Sequence, residues 1–222
     1  MNIRADLDQS AHVSGSNLTY QPSPLAGVER VMLDRVGDEV AVATSLVRYA
    51  PKAYFDPHGH ALGEEFIVLE GTFSDEHGDY PAGTYVRNPP GTSHKPFSED
   101  GCLIWVKLRQ FDEADQVQMS VDLVTLANEQ PFNHLREVYT YQAEVASVVR
   151  VEASSRFAFD ASFYVRELVV ISGELTWQQD ETRSFGPNSW LRMRPGEPLR
   201  INALSDCVVF TKTRPVYRPA DV

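Results

Sequence analysis

The chain has 222 residues, 42% of them hydrophobic and 23% charged, the balance of an ordinary globular protein with one or two hydrophobic cores. Its 31 acidic residues outnumber 20 basic ones for a net charge of −11, and no segment gathers the basic residues, which argues against nucleic acid and anionic membrane as direct partners. The opening MNIRADLDQSAHVSGS has no apolar core to follow its early arginine and no apolar run is long enough to span a bilayer, so a cytoplasmic location is expected.

In chain order, residues 1–19 form a polar arm that contains His12. From Thr44 the chain becomes a series of short runs rich in Val, Ile, Leu, Phe, Tyr and Thr, bounded by Gly, Pro, Asp and Asn, which is the pattern of strands joined by tight turns. FIVLEGTFSDEHGDYPAGTYVRNPPG, from Phe66 to Gly91, is an example, with a polar turn at His77-Gly78-Asp79 between two apolar runs. FDEADQVQ, Phe111 to Gln118, breaks the apolar pattern with charge and places a domain boundary there, giving domains at 1–118 and 119–222. SVDLVTLANEQ beyond it reads as a helical turn or another strand, and short strands then resume to the end. The fold class expected is all-β, a sandwich or barrel in each half. Cys102 and Cys207 each precede an apolar run, CLIWV and CVVF, and are expected to be buried, reduced and inert.

The second half repeats the first. TSLVRYAPKAYFDPH from Thr44 matches ASVVRVEASSRFAFD from Ala146 at an offset of 102, which also carries EEFIVLEG onto RELVVISG. Farther on the offset is 105, laying TYVRNPPG over SWLRMRPG and DGCLIWVKL over SDCVVFTKT, so three extra residues must lie between Gly173 and Ser189.

Two clusters carry the chemistry. His58-Gly59-His60 with Glu64 forms the first, and Pro89-Pro90-Gly91 followed by His94 the second. Side chains two apart on a strand share a face, so His58 and His60 address one point, Glu64 follows a turn at Gly63, and His94 arrives from a second hairpin. Three imidazoles and a carboxylate suit one divalent transition metal (Zn, Fe, Ni, Cu or Mn) and leave positions for a further ligand. At the same places the second half has Asp160, Ser162, Arg166 and Leu199, so no such site is expected there and an Asp160–Arg166 ion pair is expected to fill the gap. Glu65 persists as Glu167 in that half whereas Glu64 does not, which makes Glu64 the ligand and Glu65 a structural residue paired with an arginine. Phe55, Tyr85, Arg87 and Trp105 are matched by Phe157, Trp190, Arg192 and Phe210 and read as framework, while the unmatched Tyr54, Phe66 and Lys95 are the better pocket candidates. His12, His77 and His134 stand alone and read as surface or core residues.

The two clusters resemble the signature motifs of the cupin superfamily, G-x5-H-x-H-x3-E-x6-G and G-x5-P-x-G-x2-H-x3-N, with two departures: Lys52 stands for the first glycine and Ser98 for the last asparagine. Residues 20–110 are similar to the cupin domain of ChrR-type anti-sigma factors. The resemblance implies two tandem cupin (double-stranded β-helix, jelly-roll) barrels, the first metal-binding and the second degenerate. It further implies a regulatory protein that senses a small molecule or oxidant and reports to a protein partner, although residues 1–19 hold no counterpart of that family's helical zinc domain. Related cupins include Fe(II) dioxygenases of small ketones and diketones, which gives the enzymatic alternative with a small-molecule substrate. A monomer and a homodimer fit equally.

Overall fold

Strand periodicity decides how the first half folds. In Glu64–Asp75, Thr84–Asn88 and Cys102–Leu108, alternate residues Phe66, Val68, Val86, Ile104 and Val106 point into one apolar cluster with Tyr49 and Phe73, and their neighbours Glu65, Ile67, Tyr85, Arg87, Trp105 and Lys107 point the other way. Both faces are buried, which is why these runs read as nearly continuous apolar stretches. The computed structural model describes residues 1–38 and 40–215, and among these the regular structure is almost entirely antiparallel strand, with one α-helix at Leu123–Asn128 and one turn of 3₁₀ helix at Gly15–Asn17. None of these helices is long and apolar enough to cross a membrane.

The chain divides into two compact units: Met1–Ala5 with Thr19–Leu123, and Asp6–Leu18 with the chain from Val124 onward. The main sheet of the first unit runs in the order Asn2–Ile3, Val28–Val36, Val42–Tyr49, Cys102–Leu108, Glu64–Asp75, Thr84–Asn88, Met119–Asp122, and His58–Gly59 with Ser93–His94 forms a separate two-stranded one. The far end of Glu64–Asp75 also pairs with Gly78–Pro81 and with Phe97–Ser98, which in turn pairs with Ala53–Tyr54. The second unit has a sheet in the order Arg136–Tyr141, Glu144–Val151, Cys207–Arg214, Val165–Ser172, Trp190–Met193, Ala11–Val13, and a four-stranded one in the order Arg156–Phe159, Leu199–Ala203, Leu175–Trp177, Asp180–Phe185.

Apart from Asn2–Ile3, which has no counterpart, the two orders correspond strand for strand, and so do their irregularities. The pairing of Cys102–Leu108 with Glu64–Asp75 skips Leu69, and that of Cys207–Arg214 with Val165–Ser172 skips Ile171, 102 positions later. Left-handed backbone recurs at Lys52 and Ser154, Gly71 and Gly173, Gly83 and Asn188, and Gly91 and Gly196. The offset changes at one place. Thr176 pairs with Ser184 and Trp177 with Asp180, so Glu181, Thr182 and Arg183 are the three surplus residues, accommodated in a hairpin.

One feature departs from a contiguous division at 118. The strand that precedes each half's core lies in the other unit's sheet: Ala11–Val13 against Trp190–Met193, and Met119–Asp122 against Thr84–Arg87. The expected polar arm is therefore anchored within the second unit, where His12 stands edge-on to Trp177 and Phe185 and meets Arg183, and Arg192 donates to the carbonyls of Asp6 and Gln9. SVDLVTLANEQ is both of its two readings, a strand to Asp122 and then the helix.

The framework residues behave alike in both units. Glu65 accepts hydrogen bonds from Tyr85 at 2.6 Å and Arg87 at 3.2 Å, and Arg87 also pairs with Asp115. Glu167 accepts from Trp190 at 2.8 Å and Arg214 at 3.2 Å. Burying such charges is tolerable only because each is paired.

Candidate metal centre

Backbone geometry brings the four sequence-predicted residues together. His58–Gly59 pairs antiparallel with Ser93–His94, setting His94 opposite His58. The His60 amide donates to the Thr92 carbonyl at 2.8 Å and the Gly91 amide to the His60 carbonyl at 2.9 Å, so the Pro89–Thr92 turn is fastened to the first histidine segment. Gly63, at a φ of +74°, turns the chain into the strand that starts with Glu64, and a Cβ there would lie 2.5 Å from the Phe111 ring. As a result one donor atom from each of His58, His60, Glu64 and His94 lies within 4.8 Å of the others.

The orientation of the rings matters as much as their proximity. Each Nδ1 is engaged away from the centre: His58 with the Asp56 carbonyl at 3.0 Å, His60 with Thr92 Oγ1 at 3.1 Å, and His94 with Asp75 Oδ2 at 3.2 Å. Thr92 Oγ1 donates its own proton to the Pro89 carbonyl, which leaves it to accept from His60. An Nδ1 that donates leaves Nε2 as the lone-pair nitrogen, and the Nε2 atoms of His60 and His94 lie 3.5 and 3.4 Å from Glu64 Oε1. His60 Nε2 is buried and has no hydrogen-bond partner, the mark of a donor atom directed at something other than protein. Residue types, convergence and that orphaned nitrogen all fit a divalent metal.

Electrostatics keeps His60 in the same neutral state. Burial, together with the nearby His94 and His58, lowers the His60 pKa to about 3, so the ring is neutral over the whole working range. Burial raises the Glu64 pKa, against the pull of His94 and His58. Asp75 is lowered: burial works upward, but hydrogen bonds from His94 and the His77 amide outweigh it. Its Oδ1 accepts the amides of His77 and Gly78, which fixes the carboxylate that holds His94.

The cluster opens on a cavity of about 320 Å³, walled by Tyr49, Phe55, Phe73 and Ile104 and carrying Arg30, Arg35 and Arg109. The Tyr49 phenol is kept protonated, its pKa raised well above the usual value by burial and by Glu64. Sequence reasoning missed Asp75, Thr92, Tyr49 and the three arginines. For Asp75 the repeat held a signal, since its counterpart in the half without ligands is Trp177. Of the pocket candidates, Phe66 is a core residue, while Tyr54 and Lys95 line a separate surface hollow with Phe97. Phe55, read as framework, packs partly against the core and also faces the cavity beside His58.

In the second unit Leu199 lies in the apolar core. The expected Asp160–Arg166 pair does not close into a contact between the charged groups: Arg166 Nη2 donates to the Asp160 carbonyl at 3.3 Å, the guanidinium lies 5.3 Å from the Phe159 ring, and the Asp160 charge acts on it without touching it. The exposed Asp160 carboxylate keeps its hydration, which a pair at this depth would forfeit. Cys102 and Cys207 are buried free thiols, and burial raises the Cys102 pKa to about 11, which holds it as an unreactive thiol. His77 and His134 are exposed.

Residues 8–112 match the ChrR cupin-like domain family. Solved structures similar to the whole chain include a candidate dioxygenase from Nostoc punctiforme (11% identity, 94% of this chain and 83% of that one, TM-score 0.72) and the Escherichia coli pirin YhhW in complex with nickel(II) (12%, 94% and 100%, 0.70). Bacillus subtilis oxalate decarboxylase, with Mn(II) centres, is a third (11%, 96% and 80%, 0.56). At these identities the likeness is one of fold. No curated protein matches the chain by sequence.

Proposed function

We propose, from the premise that the chain belongs to the cupin superfamily and carries a ChrR-like cupin domain over residues 8–112, that it is a metal-dependent small-molecule receptor with a regulatory role. His58, His60, Glu64 and His94 hold one divalent transition metal, and the second half is a degenerate cupin domain without that site. The observation that carries this reading is the convergence of four donors whose outer nitrogens are already engaged, at the floor of a cavity large enough for a small organic molecule. Such an ion supplies Lewis acidity toward an oxygen donor or, as Fe(II), the chemistry of dioxygen. The chain's own residues do the rest: Asp75 and Thr92 fix the tautomers of His94 and His60, the aromatic wall excludes water, and Tyr49 keeps a proton on its Oη.

Metal analysis of protein purified without chelator tests the centre. The expected result is about one zinc, iron, nickel or manganese per chain, abolished by His94→Ala with the fold retained by circular dichroism. No metal in the parent chain overturns it.

The cavity beside the ion site favours a second reading, a non-haem iron dioxygenase of small ketones or diketones. Anaerobic Fe(II) loading followed by oxygen uptake with β-diketones and hydroxyketones separates the two. Uptake lost in His94→Ala makes the protein an enzyme, and tightly held metal without turnover makes it a receptor.

A further inference from the structure

The cavity over the four donors is unusual in its charge. In a chain with 31 acidic and 20 basic residues, its wall carries three guanidiniums and one carboxylate, and that carboxylate is Glu64, a proposed metal ligand. Arg30, Arg35 and Arg109 make no ion pair with a carboxylate among the described residues. Arg35 donates to the carbonyls of Gly37 and Asp38. Arg30 Nε is buried with no hydrogen-bond partner, a charged donor left unsatisfied at a ligand cavity. Arg109 stands at the end of the Cys102–Leu108 strand with φ +60°, and its amide donates to the Gly63 carbonyl at 3.0 Å, which ties it to the turn that presents Glu64.

The second unit shows what these positions hold where the metal donors are missing. Arg35 pairs with Ala43, and Val145, 102 residues after Ala43, pairs with Thr140, which therefore holds the place of Arg35. Arg30 pairs with Val47, and the matching place, one residue before the Arg136–Val148 pair, is Leu135. Arg109 corresponds to Arg214, which is buried and neutralised by Glu167 at 3.2 Å. The unit with the metal donors thus has three guanidiniums without an ion-paired carboxylate among the described residues, and the unit without them has a leucine, a threonine and an ion-paired arginine.

We propose that this cavity receives a small carboxylate-bearing organic acid, its carboxylate taken by Arg30 with Arg35 and Arg109 and its body lying against Phe55 and Ile104. A guanidinium presents a planar fork of N–H donors that matches a carboxylate, and it costs little to desolvate compared with an ammonium. The volume of about 320 Å³ is at the small end of ligand pockets and suits an acid of one ring or a short chain. This inference rests on the metal-receptor reading for the site's identity, but the arginines can be tested apart from the metal.

The test is calorimetric titration of the full chain with benzoate and with benzamide, which share size and shape and differ in charge, in zinc-loaded and metal-stripped protein, with metal content measured alongside. Benzoate is expected to bind roughly 10–100-fold more tightly than benzamide, the range of a charge-assisted hydrogen-bonded contact. Arg30→Met is expected to remove that preference without changing the metal content, Arg109→Met to reduce it, and Arg30→Lys to restore it in part. Equal binding of benzoate and benzamide, or a preference that survives both methionine variants, overturns the proposal. Tighter binding of inorganic phosphate than of benzoate overturns carboxylate as the class. Should the protein hold none of zinc, iron, nickel or manganese while the arginine-dependent preference persists in the stripped protein, the metal reading falls and the anion site stands.

Discussion

Asp75 is the residue on which the geometry of the centre most depends without being a ligand. Its two oxygens divide their work, Oδ1 on the amides of His77 and Gly78 and Oδ2 on His94 Nδ1, so the ring is held from behind by a carboxylate that is itself held by a turn. Asp75→Asn keeps the shape but loses the charge, and metal affinity measured by chelator competition is expected to fall by about 10–100-fold, the usual effect of such outer partners. His60 gives a pH dependence. Its folded pKa of about 3 lies below the ordinary 6.5, so between those values the unfolded chain takes up a proton that the folded chain refuses. Stability of the metal-free protein is therefore expected to decline as pH falls from about 6.5 toward 3, and the urea midpoint of His60→Gln should lack that component of the decline. The four donors were legible in the sequence because their spacing is set by strand and turn geometry. Asp75 and Thr92 were not, since a residue that acts through another leaves no spacing of its own, and neither were Arg30 and Arg35, which reach the cavity from a strand that precedes both clusters.

At the scale of elements, the departure of Lys52 from the cupin motif has a backbone cost. The position adopts φ +65°, and its amide donates to the Ser98 carbonyl at 2.9 Å, so the conformation for which the motif supplies glycine is imposed here on a lysine. Lys52→Gly is expected to stabilise the first unit by about 0.5–1 kcal/mol, the left-handed penalty less the entropy a glycine gives up on folding, read as a higher thermal midpoint. Ser98, the other departure, is buried and donates to the Thr72 carbonyl at 2.6 Å, which gives the position a structural duty in place of the expected amide. Strand identity and the repeat could be read from the sequence through alternation and turn residues. The partner of each strand could not. Ala11–Val13 and Met119–Asp122 are short and partly exposed, and their alternation says which face is buried without saying in which sheet.

At the scale of the whole molecule, that exchange makes a cut at 118 and a cut after 123 different experiments. A fragment ending at Gln118 lacks the strand whose residues pair with Thr84, Tyr85, Val86 and Arg87, leaving a long sheet edge open, whereas one ending at Leu123 retains it. The shorter fragment is expected to aggregate or to unfold at a lower urea concentration than the longer one, and equal midpoints would refute the structural weight given to that strand. Deleting residues 6–18 from the full chain should spare the metal content and weaken the second unit, which hydrogen exchange over Trp190–Met193 would report. The same exchange sets an order in time. Ala11–Val13 leaves the ribosome about 180 residues before Trp190–Met193, roughly 10–35 s earlier at ordinary rates of synthesis. Through that interval the arm is a strand without a sheet, and the polarity of its neighbours Asp6, Asp8, Gln9, Ser10 and Ser14 keeps it dissolved until its place exists.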